Sequence, residues 1–193
     1  TVVSKYDDVL ADILRRPHYK AGDTLKLISP FFKAYEVTDR KMREFSAQSL
    51  VLIANVKDLL NHVKNIANVF VVSTSYEHYV KVLCHALDFP YENTYCTRLN
   101  IDKYSITEKE KAELKEIGRE IASMPLIEIP PSARYMNDLS RRDQQTIRRL
   151  DEIFWNEMLS MSSWRILSEV NPLGGGEKAE AVKDAMKRVN ICL

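Results

Sequence analysis

The chain has 193 residues, of which 45% are hydrophobic and 28% are charged, and its formal net charge is +1 at pH 7. This near-neutral balance excludes the strong basic field that favours nucleic acid, and no apolar run approaches the roughly 20 residues of a transmembrane helix. Three cysteines without a CxxC pair argue against a disulfide framework or a structural zinc site. We therefore expect a cytoplasmic globular protein with no nucleic-acid partner and no membrane partner.

Helical patterns dominate residues 1–67. Ser4 is a candidate N-cap of the first helix, Pro30 is expected to interrupt the second, and Thr38 is a candidate cap of the third. A fourth helix is predicted over residues 56–68. Two apolar stripes follow the 3.6-residue period, Tyr6, Val9, Leu10 and Ile13 in the first helix and Leu59, Leu60, Val63 and Ile66 in the fourth.

The stretch NVFVVSTSY carries a predicted buried strand, residues 69–73, that runs directly into three hydroxyl residues. Thr74 and Glu77 match a capping box, in which the Thr74 hydroxyl accepts from the Glu77 N–H and the Glu77 carboxylate reaches back. Ser73 is then left at the carboxyl end of the strand, where open α/β sheets bind ligands. A serine beside a helix N-terminus is suited to hydrogen-bond a phosphate. The alternative is that Ser73 only satisfies the turn.

A helix and a second strand are predicted next. The helix has the sequence YEHYVKVLCHALD, and alternating residues over 93–101 favour a strand. Highly charged helical patterns follow, the first with Thr107 as a candidate cap.

Residues 174–178 read Gly-Gly-Gly-Glu-Lys and lead into the final predicted helix. Lys178 lies in its first turn, where the helix dipole disfavours a cation by about 0.3–1 kcal/mol. A bound anion would remove this penalty, and the glycines allow a ligand to approach the backbone. The alternative is a flexible loop with a solvated lysine, since the Walker A pattern is not satisfied. The predicted apolar face of the helix is Ala179, Val182, Met186 and Val189.

Two other groups of residues are weaker candidates. Clustered arginines in the helix after residue 140 are interleaved with acids, which favours an ion-paired surface over a nucleic-acid site. These arginines are Arg141, Arg142, Arg148 and Arg149. His78, His85 and Cys84 suggest a metal site, but no second pair of ligands accompanies them, so we assign no metal ligand in this sequence.

The order of these parts resembles the haloacid dehalogenase-like phosphatase superfamily. FVVSTSY is similar to its second motif, a hydrophobic strand ending in Ser or Thr, and GGGEKAEAV is similar to its third motif, a lysine at the start of a helix. The run VVSTSYEHYV and the long helical insert further resemble an archaeal branch labelled energy-converting hydrogenase A subunit R. The resemblance implies that Ser73 and Thr74 bind the phosphoryl group, and that Lys178 is catalytic because it pairs with that group and with a nucleophilic carboxylate.

The resemblance also implies an α/β fold that is helix-dominated overall. An incomplete Rossmann-like core would combine residues 68–99, which carry the strand-Ser motif, with residues 172–193, which carry the Lys motif. Residues 1–67 would form a helical cap, and residues 100–171 would form a further helical insert.

Two motifs of the superfamily are not found. The first ends a strand in DxD, but the early acidic pair Asp7 and Asp8 lies in a helical pattern. The fourth supplies magnesium ligands, and the sequence ends at VNICL, which is similar to the opening of the strand that precedes them. We expect the chain to be a segment of a longer protein, with the nucleophile and the Mg²⁺ ligands outside this sequence. The 193 residues alone are then expected to be inactive.

The resemblance implies Mg²⁺-dependent hydrolysis of a small phosphomonoester by the complete protein, through an aspartyl-phosphate. The alternative is a non-catalytic helical subunit or scaffold that binds partner proteins in a hydrogenase complex. These two functions require different partners, a phosphorylated small molecule in the first case and a protein surface in the second.

Overall fold

Helices dominate the computed structural model, which describes residues 1–190. The α-helices are α1 (Val2–Asp8), α2 (Thr24–Ala34), α3 (Asp39–Ser49), α4 (Val56–Lys64), α5 (Glu77–Leu87), α6 (Glu108–Ser123), α7 (Arg141–Glu152), α8 (Trp164–Glu169) and α9 (Gly175–Arg188). Within the described range the sheet consists of β1 (Val71–Tyr76) and β2 (Thr94–Thr97). The prediction of a helix-dominated fold is therefore confirmed. No described helix is long and apolar enough to cross a membrane.

The chain divides into two compact units. The helical unit consists of Thr1–Val37 and Ile101–Asn171, and the strand unit consists of Thr38–Asn100 with the described residues from Pro172 onward. The chain passes from one unit to the other after Val37, after Asn100 and after Asn171. Residues 38–67 differ from the expectation of one region over 1–67, since they belong with the strands.

The helical unit is built around a large apolar core. Thr1 caps α1, because its hydroxyl accepts from Ser4 N–H, so the helix starts before the predicted cap at Ser4. A π-helical turn, Val9–Ile13, continues α1. The predicted stripe of Tyr6, Val9, Leu10 and Ile13 is buried as expected. Fully buried partners from the rest of the unit include Leu27, Leu114, Ile127, Ile147, Leu150, Ile153, Phe154 and Met158.

Pro30 does not interrupt α2, which runs from Thr24 to Ala34. Proline removes one backbone donor from a helix. The Ser29 hydroxyl donates to the carbonyl of Leu25 at 2.6 Å in the turn before Pro30. The tertiary packing of α2, whose Leu27 and Ala34 are buried, overrides the local preference.

The strand unit contains a parallel β–α–β arrangement. Strands β1 and β2 pair in parallel, and α5 connects them, as parallel pairing requires a crossover. Strand β1 begins and ends later than the predicted strand over 69–73, and β2 is shorter than the predicted strand over 93–101. Among the described residues of this unit, the main cluster of buried apolar side chains is small: Val80, Cys84, Leu87, Phe89 and Cys96. Burial raises the pKa of the Cys84 and Cys96 thiols, which are both free.

Two predicted apolar faces are only partly used. In α4, Leu59 is 60% exposed and α4 has no buried residue. In α9, Val182 is 49% exposed, and the buried residues are instead Ala181 and Ala185. The buried face of α9 therefore consists of small side chains, and the predicted apolar face with Val182 is wrong. Cys192 and the apolar run at the end of the sequence lie outside the described residues.

Candidate functional site

The hydroxyl residues Ser73, Thr74 and Ser75 form an irregular segment of β1. Val72 pairs with Tyr95, and Tyr76 pairs with Thr97, so four steps along β1 correspond to two steps along β2. The extra residues form a β-bulge, and the Ser75 N–H donates to Ser73 Oγ at 3.2 Å within it. Bulges near the end of a strand re-aim side chains and are frequent beside active sites.

The predicted capping box at Thr74 and Glu77 is wrong. The strand continues to Tyr76, which is the N-cap of α5 and makes no side-chain cap. Glu77 instead accepts from Lys81 Nζ at 2.5 Å and from Leu99 N–H at 3.2 Å. Burial opposes ionisation of Glu77, but these hydrogen bonds and the charges of Lys81 and Arg98 lower the pKa of its carboxyl group. Glu77 therefore ties the start of α5 to the chain after β2.

The Thr97 hydroxyl joins three segments at the carboxyl end of the sheet. Thr97 is the last residue of β2 and is fully buried. Its Oγ1 donates to the carbonyl of Thr74 at 2.6 Å and accepts from the Leu173 N–H at 3.0 Å. The loop that enters α9 is thereby held at the edge where β1 and β2 end. The sequence does not single out Thr97, because the strand predicted over 93–101 places it in the interior, whereas β2 ends at Thr97.

Helix α9 runs antiparallel to β2. The loop before α9 is bound to Thr97 at the end of β2, whereas Arg188 in the last turn donates to the carbonyl of Glu92, just before β2, at 2.8 Å. Between these points, Tyr95 donates to Asp184 at 2.5 Å. The N-terminus of α9 therefore lies at the carboxyl ends of the strands, as it does in open α/β folds.

Lys178 occupies the first turn of α9, as predicted. Ala181 and Ala185, at three and seven residues from Lys178, are on the buried face of the helix. Lys178 shares that side of the helix by the 3.6-residue period, but its own side chain is exposed. Within residues 1–190 Lys178 has no hydrogen-bond or ion-pair partner, so its charge is available to an anion.

The predicted site residues thus belong to one edge of one unit. Ser73 and Thr74 lie in the bulge of β1, and Lys178 lies in the first turn of the helix that the Thr97 hydroxyl anchors at this edge. Backbone N–H groups at a helix N-terminus, hydroxyl groups and an ammonium group all favour a bound anion. Gly175 has a φ of 44°, a left-handed conformation that a glycine adopts without strain at the start of α9.

Residues suited to a metal ion are not clustered in the described part of the chain, where no group of three His, Cys, Asp or Glu side chains is present. His78 is buried, and its Nε2 lies 2.6 Å from Oδ1 of Asp39, so this histidine pairs with α3. Asp7 is also buried and accepts from Tyr19 Oη and from two backbone N–H groups, which fixes it as part of the helical unit.

The clustered arginines of α7 include one with a defined structural partner. Arg149 Nε donates to Glu120 at 2.5 Å, and the same guanidinium pairs with Glu157. Arg141 and Arg148 are exposed. Arg149 therefore belongs to an ion-paired surface, as the interleaved basic and acidic residues of this helix predict.

The chain is similar in structure to gene product AF1437 from Archaeoglobus fulgidus. The TM-score is 0.78 and the sequence identity is 26%, and the alignment covers 98% of this chain and 53% of that chain. The chain thus spans about half the length of this neighbour. No protein-family model matches the chain, and no curated protein matches it in sequence. The likeness supports the fold described above and assigns no activity.

Proposed function

We propose that the carboxyl edge of β1 and β2 is the phosphoryl-binding part of a haloacid dehalogenase-like phosphatase. The observation that carries the proposal is the double hydrogen bond of Thr97, because it brings the Ser73–Ser75 bulge and the start of α9 to one edge. The incomplete Rossmann-like core of the proposal is the β1–α5–β2 arrangement with α9. The substrate is a small phosphorylated molecule.

The residues of this chain have binding and orienting roles in the proposal. Ser73 and Thr74 position phosphoryl oxygens by hydrogen bonds from their hydroxyl groups and from N–H groups of the bulge. Lys178 neutralises negative charge on the same oxygens, and this charge increases when a phosphoryl group transfers. An exposed cation in the first turn of a helix is unfavourable without such an anion.

The described residues do not fit a magnesium site, since they contain no cluster of three suitable ligands. We therefore derive no step through Mg²⁺ from this chain. The proposal that the complete protein uses Mg²⁺ and an aspartate nucleophile concerns residues outside this sequence. It follows that the 193-residue chain binds phosphate but does not hydrolyse a generic aryl phosphate, whether or not Mg²⁺ is added.

The binding part of the proposal is tested by titrating inorganic phosphate into the ¹⁵N-labelled chain and following amide chemical shifts. We expect saturable shifts at residues 73–75 and 174–178. Lys178→Ala is expected to weaken binding about tenfold or more, because it removes a charge-assisted interaction. Lys187→Ala is the matched control, since Lys187 is also exposed on α9 but lies in its last turn.

Equal effects of Lys178→Ala and Lys187→Ala would show that phosphate responds only to net charge, and the proposal would be wrong. Shifts that saturate elsewhere in the strand unit would contradict it as well. Hydrolysis of p-nitrophenyl phosphate by the 193-residue chain, abolished by Lys178→Ala, would retain the phosphatase but overturn the expectation that the chain alone is inactive.

A non-catalytic subunit that binds a partner protein is the second candidate. The observation that favours it is a set of exposed apolar side chains in the α3–α4 region of the strand unit, Phe45, Val51, Ile53, Leu59 and Ile66. Exposed apolar patches often mark protein interaction sites. This function predicts no site-specific response to phosphate, so the titration separates the two candidates.

A further inference from the structure

A largely apolar surface cavity of about 390 Å³, open to solvent, lies in the helical unit. Residues from α1, α2, α6 and the segment just after α2 line it, and they include Val3, Ile28, Phe31, Tyr35, Gly118 and Ile121. Small-molecule sites typically have volumes of roughly 300–1,000 Å³ and a mainly apolar and aromatic lining. The size and lining of this cavity therefore suit a ligand with an aromatic ring or a short alkyl chain.

Gly118 is an unusual residue for its position. It lies in the interior of the 16-residue helix α6, where glycine is less favourable than alanine. A Cβ at this position would lie 3.4 Å from Tyr35 Oη and 3.5 Å from Phe31 Cδ1, distances that the fold accommodates. Packing thus does not exclude alanine at position 118. The absent side chain instead leaves space beside two of the aromatic residues that line the cavity.

The polar groups beside the cavity favour a negative charge. The Lys115 ammonium lies 5.9 Å from the centre of the Tyr35 ring and has no carboxylate partner in the part of the chain that the structure describes. Lys111, one turn earlier on α6, is by contrast paired with both Glu36 and Glu108. The Tyr35 hydroxyl can also donate to an anion. Of these two lysines, Lys115 is therefore the one whose charge is available, and it lies next to the Tyr35 ring that lines the cavity.

We propose that this cavity binds a small organic anion, whose ring or alkyl chain lies against Phe31 and Gly118 and whose charged group is near Lys115. The apolar part of the ligand is held by burial, and the ammonium group selects an anion over a neutral analogue. This inference concerns the helical unit alone and is independent of the phosphatase proposal.

The test uses 3-phenylpropionate as the probe, with its neutral analogue 3-phenylpropanol and with propionate, which lacks the ring. Binding is measured by methyl and amide chemical shifts of Val3, Ile28 and Ile121. We expect 3-phenylpropionate to bind with a Kd of about 1 mM or tighter, a reasonable affinity for a ligand of this size, and propionate not to bind. Lys115→Gln should weaken 3-phenylpropionate several-fold and leave 3-phenylpropanol unchanged.

Variants at Gly118 test whether the ligand occupies the predicted space. Gly118→Leu should weaken 3-phenylpropionate at least tenfold, whereas Ala122→Leu, at an exposed position of the same helix, should not. If Gly118→Leu fails to fold, Gly118→Ala decides. It should raise the Tm by about 2–4 °C, as alanine favours the helix, and weaken the probe. A higher Tm with unchanged probe binding, equal effects of the two leucine variants, or no binding of 3-phenylpropionate would each overturn the proposal.

Discussion

The two units of the chain differ in the size of their apolar core and in how far hydrogen bonds hold their segments together. The helical unit contains an extensive core with many fully buried side chains, including Tyr6, Leu27 and Phe154. The strand unit has a small core around Val80 and relies on hydrogen bonds such as those of Thr97. Because apolar burial is the main stabilising term in folding, the helical unit should contribute more to stability than the strand unit.

The strand unit also exposes large apolar side chains. Among the described residues of the strand unit, Val51 is 87% exposed and Ile53 is 82% exposed. The candidate phosphoryl-binding groups also belong to this unit. A region with few buried apolar contacts opens locally at lower free energy, and binding segments are commonly drawn from such regions. The helical unit is thus expected to contribute most of the stability, and the proposed phosphoryl-binding edge of β1 and β2 belongs to the less extensively packed strand unit.

The largest expected effect is at the centre of the helical core. Phe154 is fully buried and contacts the rings of Tyr6 and Phe31, at centroid distances of 5.9 and 6.4 Å. Phe154→Ala should lower the free energy of unfolding by about 3–5 kcal/mol in urea denaturation. Leu87→Ala, in the strand-unit core, should cost about 2–3 kcal/mol, at the lower end of the range for such changes.

Phe45→Ala is the matched control, because Phe45 is 71% exposed, and a change within about 0.5 kcal/mol is expected. If Leu87→Ala costs more than Phe154→Ala, the proposed difference between the two cores is wrong. Separate unfolding transitions for the two units would sharpen the comparison, since each variant should then shift the transition of its own unit.

Local signals predicted much of the helical structure. Thr38 and Thr107 cap α3 and α6 as expected, since each hydroxyl accepts from the N–H three residues later. The stripe that begins at Tyr6 is buried for the same reason, because helix periodicity is a local property of the sequence. These features depend on residues within a few turns of one another.

Features that depend on distant partners were not predictable in this way. Glu77 matches a capping box but bonds to Leu99 N–H, 22 residues away. The carbonyl that accepts from the Thr97 hydroxyl is 23 residues away in sequence, and the N–H that donates to it is 76 residues away. The buried face of α9 depends on the space beside the sheet, which favours Ala181 over Val182. The motif residues of the candidate site could be chosen from sequence, but the residue that joins them could not.

The second prediction concerns that residue. Thr97→Val keeps the side-chain shape but removes the donor to Thr74 and the acceptor for Leu173 N–H. Leaving both groups without a partner should cost about 2–4 kcal/mol. Hydrogen exchange should show increased opening at the amides of β1 and the start of α9, with smaller changes in the helical unit. Phosphate binding, if the proposed function holds, should weaken as well.

Thr94→Val is the matched control for Thr97→Val. Thr94 is buried in the same strand, and its hydroxyl donates to the carbonyl of Tyr91 at 2.6 Å. Thr94→Val should lower the free energy of unfolding by about 1 kcal/mol and leave the amides at the start of α9 protected from hydrogen exchange. Equal exchange patterns in the two variants would mean that Thr97 is an ordinary buried threonine and does not anchor α9.

The smallest effect is expected at Glu77 and depends on pH. Its pKa is lowered in the folded chain from an ordinary value of 4.5. The stabilisation from ionised Glu77 is therefore complete above the unfolded-state pKa and is lost as the pH falls through the folded-state pKa. Glu77→Gln should cost about 1 kcal/mol at pH 7, and the difference from the parent chain should decrease as the pH falls below 4.5.

Glu92→Gln distinguishes a specific role of Glu77 from a general effect of removing a negative charge. Glu92 is exposed in the same unit, and its carboxylate forms no ion pair in the described residues, so its replacement should change stability little at any pH. A pH-independent loss in Glu77→Gln would assign the effect to the geometry of the Leu99 hydrogen bond rather than to charge. Parallel behaviour of the two variants would instead show that the hydrogen bonds from Lys81 and Leu99 to Glu77 contribute little to stability. The strand unit would then be stabilised mainly by its small apolar core.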